Sequence, residues 1–179
     1  RYNGINAMDV QITNIDDDSA GFTVTPLTVS VNESGTTATF TIKANTQPTA
    51  NVTVAISSSN TAEGTVSPGT LTFTAANWNA AQTVTVTGVD DQIQDGDQQF
   101  NIVTGAAVST DTRYNSLAVA DVTATNVDND TAGFTVTPTA GLNTTEAGGT
   151  ATFTVKLNTQ PTANVVVSFF SSNIQEGTV

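Results

Sequence analysis

The chain contains no cysteine and no histidine. The first absence excludes a disulfide framework, a thiolate zinc site and a thiol nucleophile. The second removes the commonest general base and the commonest transition-metal ligand, so conventional catalytic triads are excluded and no enzymatic activity is expected. Positive charge is almost missing as well: four Lys and Arg stand against 16 Asp and Glu, a net charge of -12 over 179 residues. A chain this acidic cannot displace counterions from nucleic acid or bind an anionic membrane surface, and neither is expected as a partner. Divalent cations are. No apolar run approaches the ~18 residues of a membrane-crossing helix, and no signal peptide is read, so a soluble fragment is expected, with any targeting signal outside these residues.

What the chain has in quantity is threonine, 36 residues of it. Only 11% of residues are charged, so the surface is dressed with hydroxyls and amides, which suits β-strands, while 37% hydrophobic content is enough for a core.

Internal repetition is the strongest signal. Ala-Gly-Phe-Thr-Val-Thr-Pro occurs at Ala20 to Pro26 and again at Ala132 to Pro138, a shift of 112 residues. Arg1, Tyr2, Asn3 recur at Arg113, Tyr114, Asn115, and the Asp16 to Asp18 run has its counterpart in Asp128, Asn129, Asp130. After a one-residue insertion the shift becomes 113: Asn45 to Val52 matches Asn158 to Val165, and Glu63 to Val66 matches Glu176 to Val179. A period this long exceeds solenoid repeats and approaches the ~100 residues of an immunoglobulin-like sandwich. The chain therefore reads as a window on a tandem array: the last strand of a preceding repeat (1–19), a complete repeat (20–131) and the first part of a following one (132–179).

Within the complete repeat, apolar residues alternate with threonine at Ala38, Phe40 and Ile42, and a second alternating run holds Val52, Val54 and Ile56. Leu71 with Phe73, Val84 with Val86, and Phe100 with Ile102 mark three more strands; Phe22 to Val31 opens the repeat and Leu117 to Val127 closes it. Inward parity shifts across Pro26 and between Val119 and Val122, which predicts kinks there. Seven strands, turn signals at Ser67 to Gly69, Gly88 to Asp91 and Asp95 to Asp97, and no helical period predict an all-β, immunoglobulin-like antiparallel Greek-key β-sandwich with Phe22, Phe40, Ile42, Val54, Ile56, Phe73, Val86, Phe100 and Ile102 inside.

Strands that alternate in direction place every second connection at the same pole. Glu33 follows the first strand, Glu63 lies between the third and fourth, Asp90, Asp91, Asp95 and Asp97 lie between the fifth and sixth, and Asp128 and Asp130 follow the last. All eight acids are thus expected at the pole where the next repeat begins. Crowded carboxylates repel unless cations neutralise them, and an all-oxygen ligand set points to Ca²⁺. The Asp90 to Phe100 stretch is no EF-hand, because Ile93 stands where that loop needs its second acidic ligand, so ligands must be assembled from distant loops.

Val31-Asn-Glu-Ser-Gly35, Gly69-Thr-Leu-Thr-Phe73 with Trp78 beyond it, Thr83 to Asp91 with an acid four residues later, and the closing Val127-Asp-Asn-Asp130 together resemble the Calx-beta repeat found in sodium–calcium exchangers, integrin β4 and long bacterial surface adhesins. The resemblance covers 20–131 and parts of the flanks. It implies calcium ligation by Glu33, Glu63, Asp90, Asp91, Asp95, Asp128 and Asp130. The chain departs from the family pattern at Glu63, which replaces a usual Asp, at Asn129, and at Gln92 and Gln94, where acids are usual.

The expected function is a calcium-stabilised structural repeat of a long secreted or cell-surface bacterial protein, either an adhesin spacer or the body of an extracellular filament. Its partners would be neighbouring repeats of the same chain and, in a filament, identical chains. The alternative is a sandwich that binds carbohydrate or a host protein through the loops at the pole without acids. Trp78 reads as a core or sheet-edge plug, Lys43 and Lys156 as outward-facing strand residues, and the threonine ladders as ordinary exposed strand positions.

Overall fold

The computed structural model describes residues 1–179, and it is all β-strand and loop, with no helix long and apolar enough to cross a membrane. The complete repeat carries ten strands: β1 (Phe22–Thr25), β2 (Thr28–Asn32), β3 (Thr37–Ala44), β4 (Val52–Ser58), β5 (Gly64–Ser67), β6 (Thr70–Phe73), β7 (Gln82–Gly88), β8 (Gln98–Thr104), β9 (Val108–Ser109) and β10 (Val122–Val127). One sheet has the order β1-β3-β7-β5; the other runs β2-β10-β8-β4-β6, with β9 paired to β4. The two sheets close on each other as an immunoglobulin-like sandwich.

The threonine–apolar alternation builds this directly, because successive strand side chains point to opposite faces. From the first sheet Phe40, Ile42, Ala44, Val84 and Val86 point inward; from the second come Val52, Val54, Ile56, Phe73, Phe100, Ile102, Val122 and Ala124, and none is more than 5% exposed. At the end remote from the acids, Phe22 lies 5.7 Å from Phe73 and 5.5 Å from Tyr114, ring centre to ring centre. Trp78 packs against the margin of this core.

The parity shift across Pro26 marks a change of sheet. Phe22 and Val24 face inward from β1, which pairs antiparallel with β3; Val29 and Val31 face inward from β2, which joins the other sheet. Three details correct the seven-strand antiparallel expectation. The β2–β10 pair is parallel, with Thr28 opposite Thr123 and Asn32 opposite Val127, because the opening strand crosses over to lie beside the closing one. The closing strand begins at Val122 rather than Leu117: Asp121 accepts the Thr104 amide at 2.7 Å, so a side chain takes the ladder bond one residue before the Val122–Ile102 pairing starts. Finally, β5 and β9 add short edge strands where only turns and loops were read.

The other segments are simpler. Residues 132–179 hold β11 (Phe134–Thr137) and β12 (Thr154–Leu157), paired antiparallel as β1 pairs with β3. No strand stands beside β12 as β7 stands beside β3, and Phe134, Phe153, Phe169 and Phe170 remain 38–85% exposed. Residues 1–19, expected to be the last strand of a preceding repeat, carry no strand here. The matching segment at 113–131 becomes β10 by pairing with β2 and β8, and nothing in this chain stands in those two places for residues 1–19.

Candidate metal centre

The acids converge because of how four connections fold. At the β2–β3 turn Gly35 adopts φ +76°, a conformation costly for any residue with a Cβ. The Asn32 side chain accepts the Ser34 amide at 3.1 Å, and the intervening Glu33 turns into the pole, 2% exposed. After β10 the chain makes a second tight turn, in which Asp128 accepts the Asp130 amide at 2.7 Å through one oxygen and the Gly96 amide at 2.7 Å through the other. The Asn129 amide donates to Oε2 of Glu33 at 2.9 Å. Glu33, Asp128 and Asp130 thereby each present a carboxylate oxygen within 4.8 Å of the other two.

A second group forms beside it. Glu63, 8% exposed ahead of β5, joins Asp91 and Asp95 from the β7–β8 connection, again with one oxygen each within 4.8 Å of the others. Asp91 is held in place by accepting the Ile93 amide at 2.7 Å. Of the seven residues singled out from the sequence, Asp90 lies in neither group; its carboxylate receives the Asn129 side-chain amide at 3.4 Å. Asp97, which completed the eight acids expected at this pole, accepts the Asp128 amide at 3.2 Å.

The electrostatics are unbalanced. Burial raises the Glu33 carboxyl above its ordinary value, and nearby Asp128, Asp91 and Asp130 add to the effect against the Asn129 hydrogen bond. Burial likewise raises Asp130, with Asp128, Asp90, Asp91 and Asp95 contributing. Asp128 moves the other way, lowered by the amides of Asp130 and Gly96. No cationic side chain offsets this charge; the one ion pair, Arg113 to Asp111 at 3.2 Å, belongs to the β9–β10 connection at the opposite pole.

Two buried oxygens in the region have no hydrogen-bond partner, Oδ2 of Asp130 and Oδ1 of Asn126. Buried polar atoms are normally paired, and an orphaned carboxylate oxygen among other carboxylates fits a missing cation better than a missing donor. Asn126 is the residue that charge counting overlooks. It is 1% exposed and donates to the Val89 carbonyl at 2.9 Å and to Glu63 at 3.3 Å, tying β10 to the second group. The available signal was its parity: it continues the inward row of Val122 and Ala124. The donor set is entirely hard oxygen, the chemistry of a hard divalent cation rather than of zinc or copper.

No protein-family model matches the sequence, and no curated protein sequence matches it either. Solved structures do resemble it. The apo form of the Calx CBD1 domain aligns with 63% of this chain and 100% of its own at 16% identity and a TM-score of 0.48. The calcium binding domain CBD12 of CALX1.1 aligns with 78% of this chain and 70% of its own at 14% identity, also with a TM-score of 0.48. The MSP-domain-like protein SSP-19 of Caenorhabditis elegans aligns with 59% of this chain and 97% of its own at 15% identity and a TM-score of 0.40. These likenesses concern the course of the chain and assign no residue a role.

Proposed function

We propose that this chain is a calcium-binding structural repeat that stiffens a long extracellular protein, as a spacer in an adhesin or as the body of a filament. The observation that carries this reading is the Glu33–Asp128–Asp130 group. Three carboxylates from the two ends of one repeat meet without a counter-charge, one of them with an orphaned buried oxygen, at the point where the chain passes into the next repeat. Calcium suits such a site because it takes six to eight oxygens in irregular geometry, whereas magnesium demands a regular octahedron. The residues would work by position alone: Glu33, Asp128 and Asp130 in one group and Glu63, Asp91 and Asp95 in the other supply anionic oxygens, Asp90 adds to the field, and no bond is made or broken. Its partners are neighbouring repeats of the array and, in a filament, identical chains.

Since Asp128 to Thr131 form the whole link between β10 and the next repeat, a bound ion would restrain domain orientation as well as folding. An ion present at ~10 to 100 times its dissociation constant contributes about 1 to 3 kcal/mol to stability. The test is thermal melting and small-angle scattering of the chain in millimolar calcium and in chelator. Calcium should raise the melting temperature and lengthen the maximum dimension. Identical values in both conditions would overturn the reading.

A further inference from the structure

We infer that Asn126 is a positioning residue for the second acid group: its side-chain amide holds the Glu63 carboxylate ready for a cation shared with Asp91 and Asp95. This role rests on the calcium-binding reading and goes beyond it, because Asn126 is uncharged and turns a nitrogen, not an oxygen, toward that group.

The two buried glutamates of the acid pole are each held by an asparagine at or just after the end of β10. Glu33 receives the Asn129 backbone amide at 2.9 Å, and Oε2 of Glu63 receives the Asn126 side-chain amide at 3.3 Å. No other donor reaches the Glu63 carboxylate. The same nitrogen donates to the Val89 carbonyl at 2.9 Å, directly ahead of Asp90 and Asp91, while the Val89 amide donates to the Glu63 carbonyl at 3.0 Å. Asn126 therefore clasps the two segments that bring Glu63 and Asp91 together. A glutamate has one more rotatable bond than an aspartate, so a donor that fixes it before the ion arrives lowers the entropy lost on binding.

The fold alone does not ask for an amide here. Asn126 continues the inward row of Val122 and Ala124, where an apolar side chain would complete the core. Instead its Oδ1 is buried without a donor, lying over Gly88, where a Cβ would come within 2.8 Å of it. Leaving a buried oxygen unpaired costs stability. Turning the amide over brings no relief, since its oxygen would then oppose the Val89 carbonyl and the Glu63 carboxylate, acceptor against acceptor. The two bonds to Glu63 and Val89 are what the position retains. The matching segment at the start of the chain retains the residue too: Asn14 corresponds to Asn126 at a shift of 112, although Ile12 stands for Ala124 and Ile15 for Val127. The apolar residues of the row change while the amide stays.

Calorimetric titration of the whole chain with calcium tests this. Glu63→Gln marks the binding event of the second group by weakening it. Asn126→Leu, which keeps the shape of the side chain and removes its N–H donors, should weaken the same event about tenfold to a hundredfold. Binding at Glu33, Asp128 and Asp130 should keep its affinity in both variants, whereas a general loosening of the fold would lower it as well. If Asn126→Leu does not melt cooperatively in chelator, Asn126→Ala, which removes the donor without adding bulk, carries the same expectation. Unchanged affinity at the second group, or equal losses at both groups, overturns the role of Asn126 and leaves the calcium reading standing. A parent chain that binds no calcium overturns the calcium reading and this role with it.

Discussion

The backbone amide of Asn129 donates to the side chain of Glu33 at 2.9 Å, joining residues 96 positions apart. Glu33 leaves the first two strands of the repeat and Asn129 follows the last, so this bond exists only when the sandwich is closed. The same holds for the acid group around it. A cation held there binds the folded state and has no comparable site in the unfolded chain, which is the condition for ligand-linked stability.

Asp130→Asn separates repulsion from ligation. In chelator the substitution removes a carboxylate whose ionisation burial and four neighbouring acids oppose, so the melting temperature should rise. In millimolar calcium the same change removes a ligand, and most of the ~1 to 3 kcal/mol ion-linked gain should disappear. Calorimetry in the two conditions reads both signs; a variant less stable than the parent in chelator contradicts the repulsion argument.

At the other pole, Tyr114→Phe should destabilise without any effect on calcium response. The buried phenol donates to the Thr46 carbonyl at 2.6 Å and receives the Thr46 amide at 3.0 Å, so its loss leaves a buried amide unpaired. Urea denaturation should show a loss of about 1 to 3 kcal/mol.

Asp111 gives the repeat an acid-sensitive component away from the cation groups. The Arg113 guanidinium, with the Thr49 amide, holds its carboxyl well below the ordinary carboxylate range. A depressed folded-state value means stability that is fully present above the unfolded value of ~3.9 and is lost as pH falls below it. Asp111→Asn should therefore lower the melting temperature by a constant amount between pH 5 and 7, and the gap to the parent should close below about pH 4. A gap independent of pH would show that the charge contributes nothing.

Gly64→Ala should overpack the core. A Cβ at that position would collide with the Phe100 ring, which cannot withdraw from between the sheets. The expected loss is about 1 to 3 kcal/mol by chemical denaturation, with the calcium-induced shift preserved if Glu63 keeps its place.

Much of this architecture is legible as period-two alternation. Phe40 with Ile42, Val54 with Ile56, and Val84 with Val86 each face the core as their spacing indicates. Strand direction alone carried Glu33, Glu63, the β7–β8 acids and Asp128 to one pole. The rest depends on tertiary context. Val66 is the single apolar residue of β5, and that strand exists because the edge of β7 is there to pair with it. Parity across Pro26 reveals a kink but not which sheet receives β2. Nor does acid spacing show that Glu33 meets Asp128 and Asp130 while Glu63 meets Asp91 and Asp95; that division is made by the two turns around Gly35 and Gly96 and by Asn126.

The parallel pairing of β2 with β10 has a mechanical consequence. The chain enters the repeat toward β1 at one pole and leaves it after β10 at the other, so tension applied between those two points pulls these two adjacent strands in opposite directions. Five residue pairs, from Thr28–Thr123 to Asn32–Val127, lie side by side along that line. They are loaded in shear, all together, rather than peeled apart one at a time. A repeat wired in this way resists stretching most strongly along the axis that joins its points of entry and exit.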